Sequence, residues 1–134
     1  EKAFNKLPEQ EFHWFLGGVK FKHRIGNIIY YPVNQKDFNE SLITCNGIIT
    51  GGGFETPSEA LYLKKKILSI PILNHYEQEC NAAALKKLGV SVIYEVGKNF
   101  ELIIEDWLNS KSVVPQIKAN NIPETLQFLF DTYN

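Results

Sequence analysis

The chain lacks the material for disulfide or zinc chemistry. Its 134 residues contain two cysteines, Cys45 and Cys80, with no CxxC pair and no histidine at ligand spacing from either. Neither a disulfide framework nor a zinc site is supported, and a reducing, cytosolic compartment is the expectation. No apolar run approaches the roughly 20 residues a membrane helix needs, and nothing reads as a signal peptide. A soluble protein is expected, with peripheral attachment at an inner membrane face as the option for a longer polypeptide. Neither sign of charge dominates: 14 Lys+Arg stand against 15 Asp+Glu, for a net charge of −1. No global field favours nucleic acid, so any anion site must be local. His13, His23 and His75 share no mutual spacing, and no Ser/His/Asp or metal-ligand constellation is visible. Methionine is absent altogether, and residues 3–7 read as a fragmentary amphipathic piece. The expectation is a single domain spanning 1–134, cut from a larger two-domain protein.

What is present is an ordinary globular composition, 44% hydrophobic and 13% aromatic, ample for a packed core. Short apolar runs alternate with helical patterns, the signature of βα units on a mostly parallel sheet. Strands are expected near 12–16, 27–31, 47–50, 69–73 and 91–94, rich in Ile, Val and Tyr. Helices are expected near 36–45, 57–66, 77–88, 100–109 and 123–133. Lys64, Lys65 and Lys66 fit the negative end of the second helix, and Gly89 fits a C-cap for the third. Ligands of such folds sit beyond the carboxyl ends of the strands, where the loops at 51–53 and 74–76 both fall.

Gly51-Gly52-Gly53-Phe54 carries the strongest signal. The glycines make neither GxGxxG nor a P-loop, which excludes a dinucleotide fingerprint and a Walker ATPase. They follow an apolar strand and precede a helix start. Backbone without Cβ atoms can approach a ligand closely and use positive φ, while the helix offers free N–H groups and a positive dipole end. That combination suits phosphate; the competing reading is a tight turn. Thr56-x-x-Glu59 fits a capping box, and the alternative is that the Glu59 carboxylate accepts bonds from ribose hydroxyls. Glu77 and Glu79 fit a solvated first helical turn. Gln78 and Asn81, three apart on one face, could pair with sugar hydroxyls.

Taken together, residues 51–59, Pro71, Glu77-Gln78-x-x-Asn81-Ala82 and Gly89 resemble the donor-binding C-terminal domain of GT-B glycosyltransferases, of the UDP-N-acetylglucosaminyltransferase (family 28) and family 1 types. The resemblance is dense over residues 27–95. It implies a Rossmann-like doubly wound parallel sheet of about five to six strands, here without its first, central strand. In the usual 3-2-1-4-5-6 order, that strand would lie between those at 12–16 and 47–50. The resemblance implies that these two close up directly, or that another copy or the rest of the polypeptide fills the gap.

For function, the resemblance implies the donor half of an enzyme that moves a sugar from a nucleotide diphosphate, a UDP-sugar, to a hydroxyl. It gives the diphosphate to Gly52, Gly53, Phe54 and Thr56, the ribose to Glu59, and the sugar to Glu77, Gln78 and Asn81. The base goes to backbone near Val33 and Asn34. No catalytic residue is expected here, because the acceptor site and base belong to an N-terminal domain. The segment should bind without turning over, and no metal or cofactor is implied beyond the nucleotide-sugar substrate. Gly51 and Glu55 depart from the histidine and asparagine of plant relatives, and a carboxylate beside phosphate is unfavourable. Two rivals stand beside this reading. A hydrolysing nucleotide-sugar 2-epimerase would carry glutamine where this chain has Ser58, and a non-catalytic nucleotide-binding or scaffold module would use the loop structurally.

Overall fold

The computed structural model describes residues 1–110 together with Gln127 and Asp131. The helix expected near 123–133 lies outside the described residues. A 3-10 turn at Phe4–Lys6 leads into β1 (Phe12–Leu16), β2 (His23–Ile25) and β3 (Ile28–Pro32). Then follow α1 (Gln35–Thr44), β4 (Gly47–Thr50), α2 (Glu55–Tyr62), β5 (Lys66–Ser69), α3 (Tyr76–Lys87), β6 (Ser91–Val92) and α4 (Phe100–Asn109).

The strands form two three-stranded sheets instead of one continuous sheet, in the orders β1-β3-β2 and β4-β5-β6. In the first, β1 runs parallel to β3 from Phe12↔Ile28 to Leu16↔Pro32, and β2 joins β3 as an antiparallel hairpin. Gly26, at φ 59, opens the two-residue loop between Ile25 and Ile28, a position that favours glycine. The second sheet is wholly parallel, from Gly47↔Lys66 to Thr50↔Ser69, with β6 beyond β5. Between the free edges of β1 and β4 lies a cleft of about 780 Å³, bordered by both strands and by Phe38 and Trp107. The two strands therefore do not close up, and no described residue supplies a strand between them. Ile48 and Ile49 of β4 are only half-buried in consequence, and the Trp107 indole N–H is buried with no acceptor among the described residues.

Side chains of successive strand residues point to opposite faces, and two cores result. Leu42, Ala60, Leu61, Ile67 and Leu85 bring α1, α2 and α3 onto one face of β5, with Ile48 packed alongside. Phe4, Ile28, Tyr30, Phe100 and Ile104 join the N-terminal turn and α4 to β3, with Ile49 and Ile70 against them. Phe4 anchors this second cluster, edge-on to Phe12, Trp14 and Phe100 at 4.7, 5.1 and 5.9 Å. Helices on both sides of parallel strands make the domain Rossmann-like.

The second helix is shorter than its pattern suggests. Lys65 N–H bonds Ala60 O and Lys64 N–H bonds Leu61 O, with Lys64 left-handed at φ 57. That is a Schellman stop built on lysine, and it releases Lys66 to begin β5 three residues before the expected strand. Pro71, lacking an N–H, stands just past the end of that strand. The lysine side chains serve other helices: Lys65 Nζ donates to Ile43 O and Cys45 O at the C-terminal end of α1, and Lys66 Nζ donates to Trp107 O and Leu108 O at the end of α4. Gly89, at φ 84, stops α3 as expected.

Candidate functional site

Two loops leave the C-terminal ends of neighbouring parallel strands, residues 51–54 after β4 and 70–75 after β5. Side chains from the first turns of α3 hold both. Gln78 Oε1 accepts the N–H of Gly52 at 3.1 Å and of Ile72 at 3.0 Å. Asn81 Nδ2 donates to Gly52 O at 3.0 Å. Glu79 Oε1 accepts from Asn74 N–H at 2.9 Å, where Asn74 turns left-handed at φ 63. Glu79 thus braces the loop, a role its reading as a solvated residue missed. Its signal was available, since an acid in a first helical turn can reach back to the N–H groups before it.

None of the three loop glycines has positive φ, contrary to the conformational reason expected for them. Gly52 is required by close approach instead, because a Cβ there would lie 2.7 Å from both Gln78 Cβ and Gln78 O. A Cβ on Gly53 would meet nothing within 4 Å, so the space over that residue is open.

The helix after the glycines starts two residues earlier than Thr56-Pro57 suggests. Its N-cap is Phe54, α-helical in backbone and without a side-chain cap, so Thr56 sits inside the first turn and the capping box is not formed. The N–H groups of Gly53, Phe54, Glu55 and Thr56 bond no acceptor among the described residues, and they share the positive end of the α2 dipole. Gly52 differs: its N–H is already taken by Gln78. Glu59, one turn further along, is exposed and its carboxylate has no partner among the described residues. The competing structural role is therefore not exercised. Glu55 is exposed in the first turn. Ser58 Oγ donates back to Phe54 O at 2.7 Å.

Glu77 is exposed and without a partner among the described residues; Gln78 and Asn81 are half-buried, and the Gln78 amide NH₂ and the Asn81 amide oxygen likewise have no partner there. Asn34 is committed elsewhere, as the N-cap of α1: its Oδ1 accepts from Asp37 N–H at 2.8 Å, and its Nδ2 donates to Asp37 Oδ2 at 2.8 Å. Val33 beside it is exposed. The large cleft between the sheets meets these loops only through Thr50 and Thr56. No cluster of three or more metal-ligating side chains occurs among the described residues, and no described helix is long and apolar enough to cross a membrane.

Parallel βα units with bonded loops at their strand ends and helices on both faces define a Rossmann-like α/β domain. The chain belongs to Glycosyl transferase family 1, whose family model matches residues 5–110, and it is a glycosyltransferase domain. No match to a curated protein or to a solved structure accompanies that one.

Proposed function

We propose that the chain is the donor-binding half of a transferase that carries a sugar from a nucleotide diphosphate, specifically a UDP-sugar, to a hydroxyl acceptor. The observation that carries this reading is the run of four unpaired N–H groups at residues 53–56, with the free Glu59 carboxylate one helical turn beyond. Gly53, Phe54 and Thr56 take the diphosphate through backbone N–H groups, and Thr56 adds its hydroxyl. Gly52 contributes by letting α3 approach. Glu59 accepts bonds from the two ribose hydroxyls. Glu77, the Gln78 NH₂ and the Asn81 amide oxygen meet the sugar, and main chain at Val33 and Asn34 borders the base. Bond cleavage is helped by fixed dipoles and N–H groups that stabilise the leaving diphosphate as its charge grows. No metal is assigned to that task. The acceptor and the base come from an N-terminal domain, and a further strand from the remaining polypeptide or another copy joins the free edges of β1 and β4.

The test is an amide-resolved NMR titration with UDP and with uridine. Shifts at Gly53, Phe54 and Thr56 with UDP, much weaker with uridine, are the expected result. Equal responses to the two ligands, or none to millimolar UDP, would reject a diphosphate site.

A further inference from the structure

Gly52 is fixed on both of its peptide groups by side chains of one helix, its N–H on Gln78 Oε1 and its carbonyl on Asn81 Nδ2. The same Gln78 oxygen also takes Ile72 N–H from the neighbouring loop. One acceptor thus ties together the two connections that follow β4 and β5. The arrangement is tight as well as bonded, since the Cα of Gly52 faces the Gln78 backbone with no room for a methyl group. Gly53, next in sequence, has no comparable neighbour and no hydrogen bond through its N–H among the described residues. The position of the free N–H groups at 53–56 therefore depends on where Gly52 is held.

We infer that Gln78 and Asn81 are positioning residues for the diphosphate loop, whose effect reaches UDP, a ligand without the transferable sugar. The inference rests on the donor-site reading above and adds to it. A contact from the Gln78 NH₂ or the Asn81 amide oxygen to the sugar would act on a UDP-sugar alone. The clasp on Gly52 acts on UDP itself, because a loosened loop must be ordered at the moment of binding.

The experiment compares Gln78→Met and Asn81→Leu, which keep side-chain bulk and remove the loop bonds, with Gln78→Glu, which keeps an acceptor for both N–H groups and loses the amide donor. Hydrogen exchange at the Gly52 and Ile72 amides reads the clasp without any ligand. Exchange at both should rise about tenfold in Gln78→Met, the scale of a neutral hydrogen bond or two. It should remain near wild type in Gln78→Glu, and Asn81→Leu should speed exchange at Gly52. The UDP dissociation constant should rise about tenfold in Gln78→Met and in Asn81→Leu, by the same energy scale. Unchanged exchange at Gly52 and Ile72 in Gln78→Met would overturn the clasp. Faster exchange with unchanged UDP affinity, and weakening confined to the UDP-sugar, would overturn its link to the diphosphate. Wild-type chain that binds no UDP would refute the donor-site reading itself, and the exchange data would still judge the clasp. If Gln78→Met does not fold, Asn81→Leu gives the same two readings.

Discussion

Gly52→Ala should be costly while Gly53→Ala, one residue on, should not. A methyl at position 52 would sit 2.7 Å from Gln78 Cβ and O and 3.0 Å from Gln78 Cα. It falls about 0.7 Å short of ordinary contact at 3.4 Å. Two of these three atoms are backbone, so no rotamer change relieves the clash. The first turns of α3 would have to move, yet Ala82 in the same helix is fully buried and Gln78 and Asn81 are bonded to the loop. Overpacking of this kind costs about 1–3 kcal/mol. Loss of chain freedom in the unfolded state returns about 0.4–1 kcal/mol. A net destabilisation of about 1–2 kcal/mol follows, or a fall of roughly 3–8 °C in Tm for a domain of this size. Urea unfolding followed by Trp14 and Trp107 fluorescence would measure it. Gly53→Ala should leave the midpoint unchanged or slightly raised, because nothing lies within 4 Å of its methyl; its effect should appear as weaker UDP binding. Equal midpoints for Gly52→Ala and wild type would refute the close-approach argument.

The two helix stops make a matched pair. Lys64→Gly removes a side chain from a left-handed residue and should stabilise by about 1 kcal/mol, whereas Gly89→Ala places one there and should destabilise by a similar amount in thermal melts. Glu11 bonds Arg24 and His13, and the Arg24 guanidinium first, then His13, holds its carboxyl below the ordinary value. A lowered carboxyl contributes stability above its unfolded pKa and loses it as pH falls through the folded one. Glu11→Gln should therefore flatten the acid side of the stability–pH curve by a small amount, as befits an exposed pair; an unchanged curve would contradict it. An extended apolar strand joined through a linker ahead of Glu1 should pair with the open edges of β1 and β4 and raise Tm, with slower exchange at their outward amides. Unaltered exchange there would exclude strand addition.

The βα order was legible because each element carries its own periodicity and stop. Gly47–Thr50 and Phe100–Asn109 have the same bounds as expected from their apolar patterns, and Gly89 ends α3 as a glycine should. The misplaced β5 came from reading Lys64, Lys65 and Lys66 as a helix end. Lysine at a left-handed stop has no sequence signature, and the carbonyls that Lys65 and Lys66 cap lie 20 or more residues away. β2 was missed because His23-Arg24-Ile25 is short and half charged, and only pairing with β3 makes it a strand. At the site, the glycine turn between strand and helix was legible, but the positive φ and the Thr56-x-x-Glu59 capping box expected there are not formed. The Gln78 bonds to Gly52 and Ile72 were not legible, since they join segments that only the folded chain brings together.

The most direct test of the donor-site account is calorimetric titration of the chain with UDP beside its Glu59→Ala variant. Glu59 is exposed, so its removal should leave the fold intact. The account predicts measurable wild-type binding and a loss of about tenfold or more in the variant, the scale of charge-assisted hydrogen bonds to the ribose. Wild-type and variant chains that bind UDP equally, or a wild-type chain that gives no heat at millimolar UDP, would contradict it.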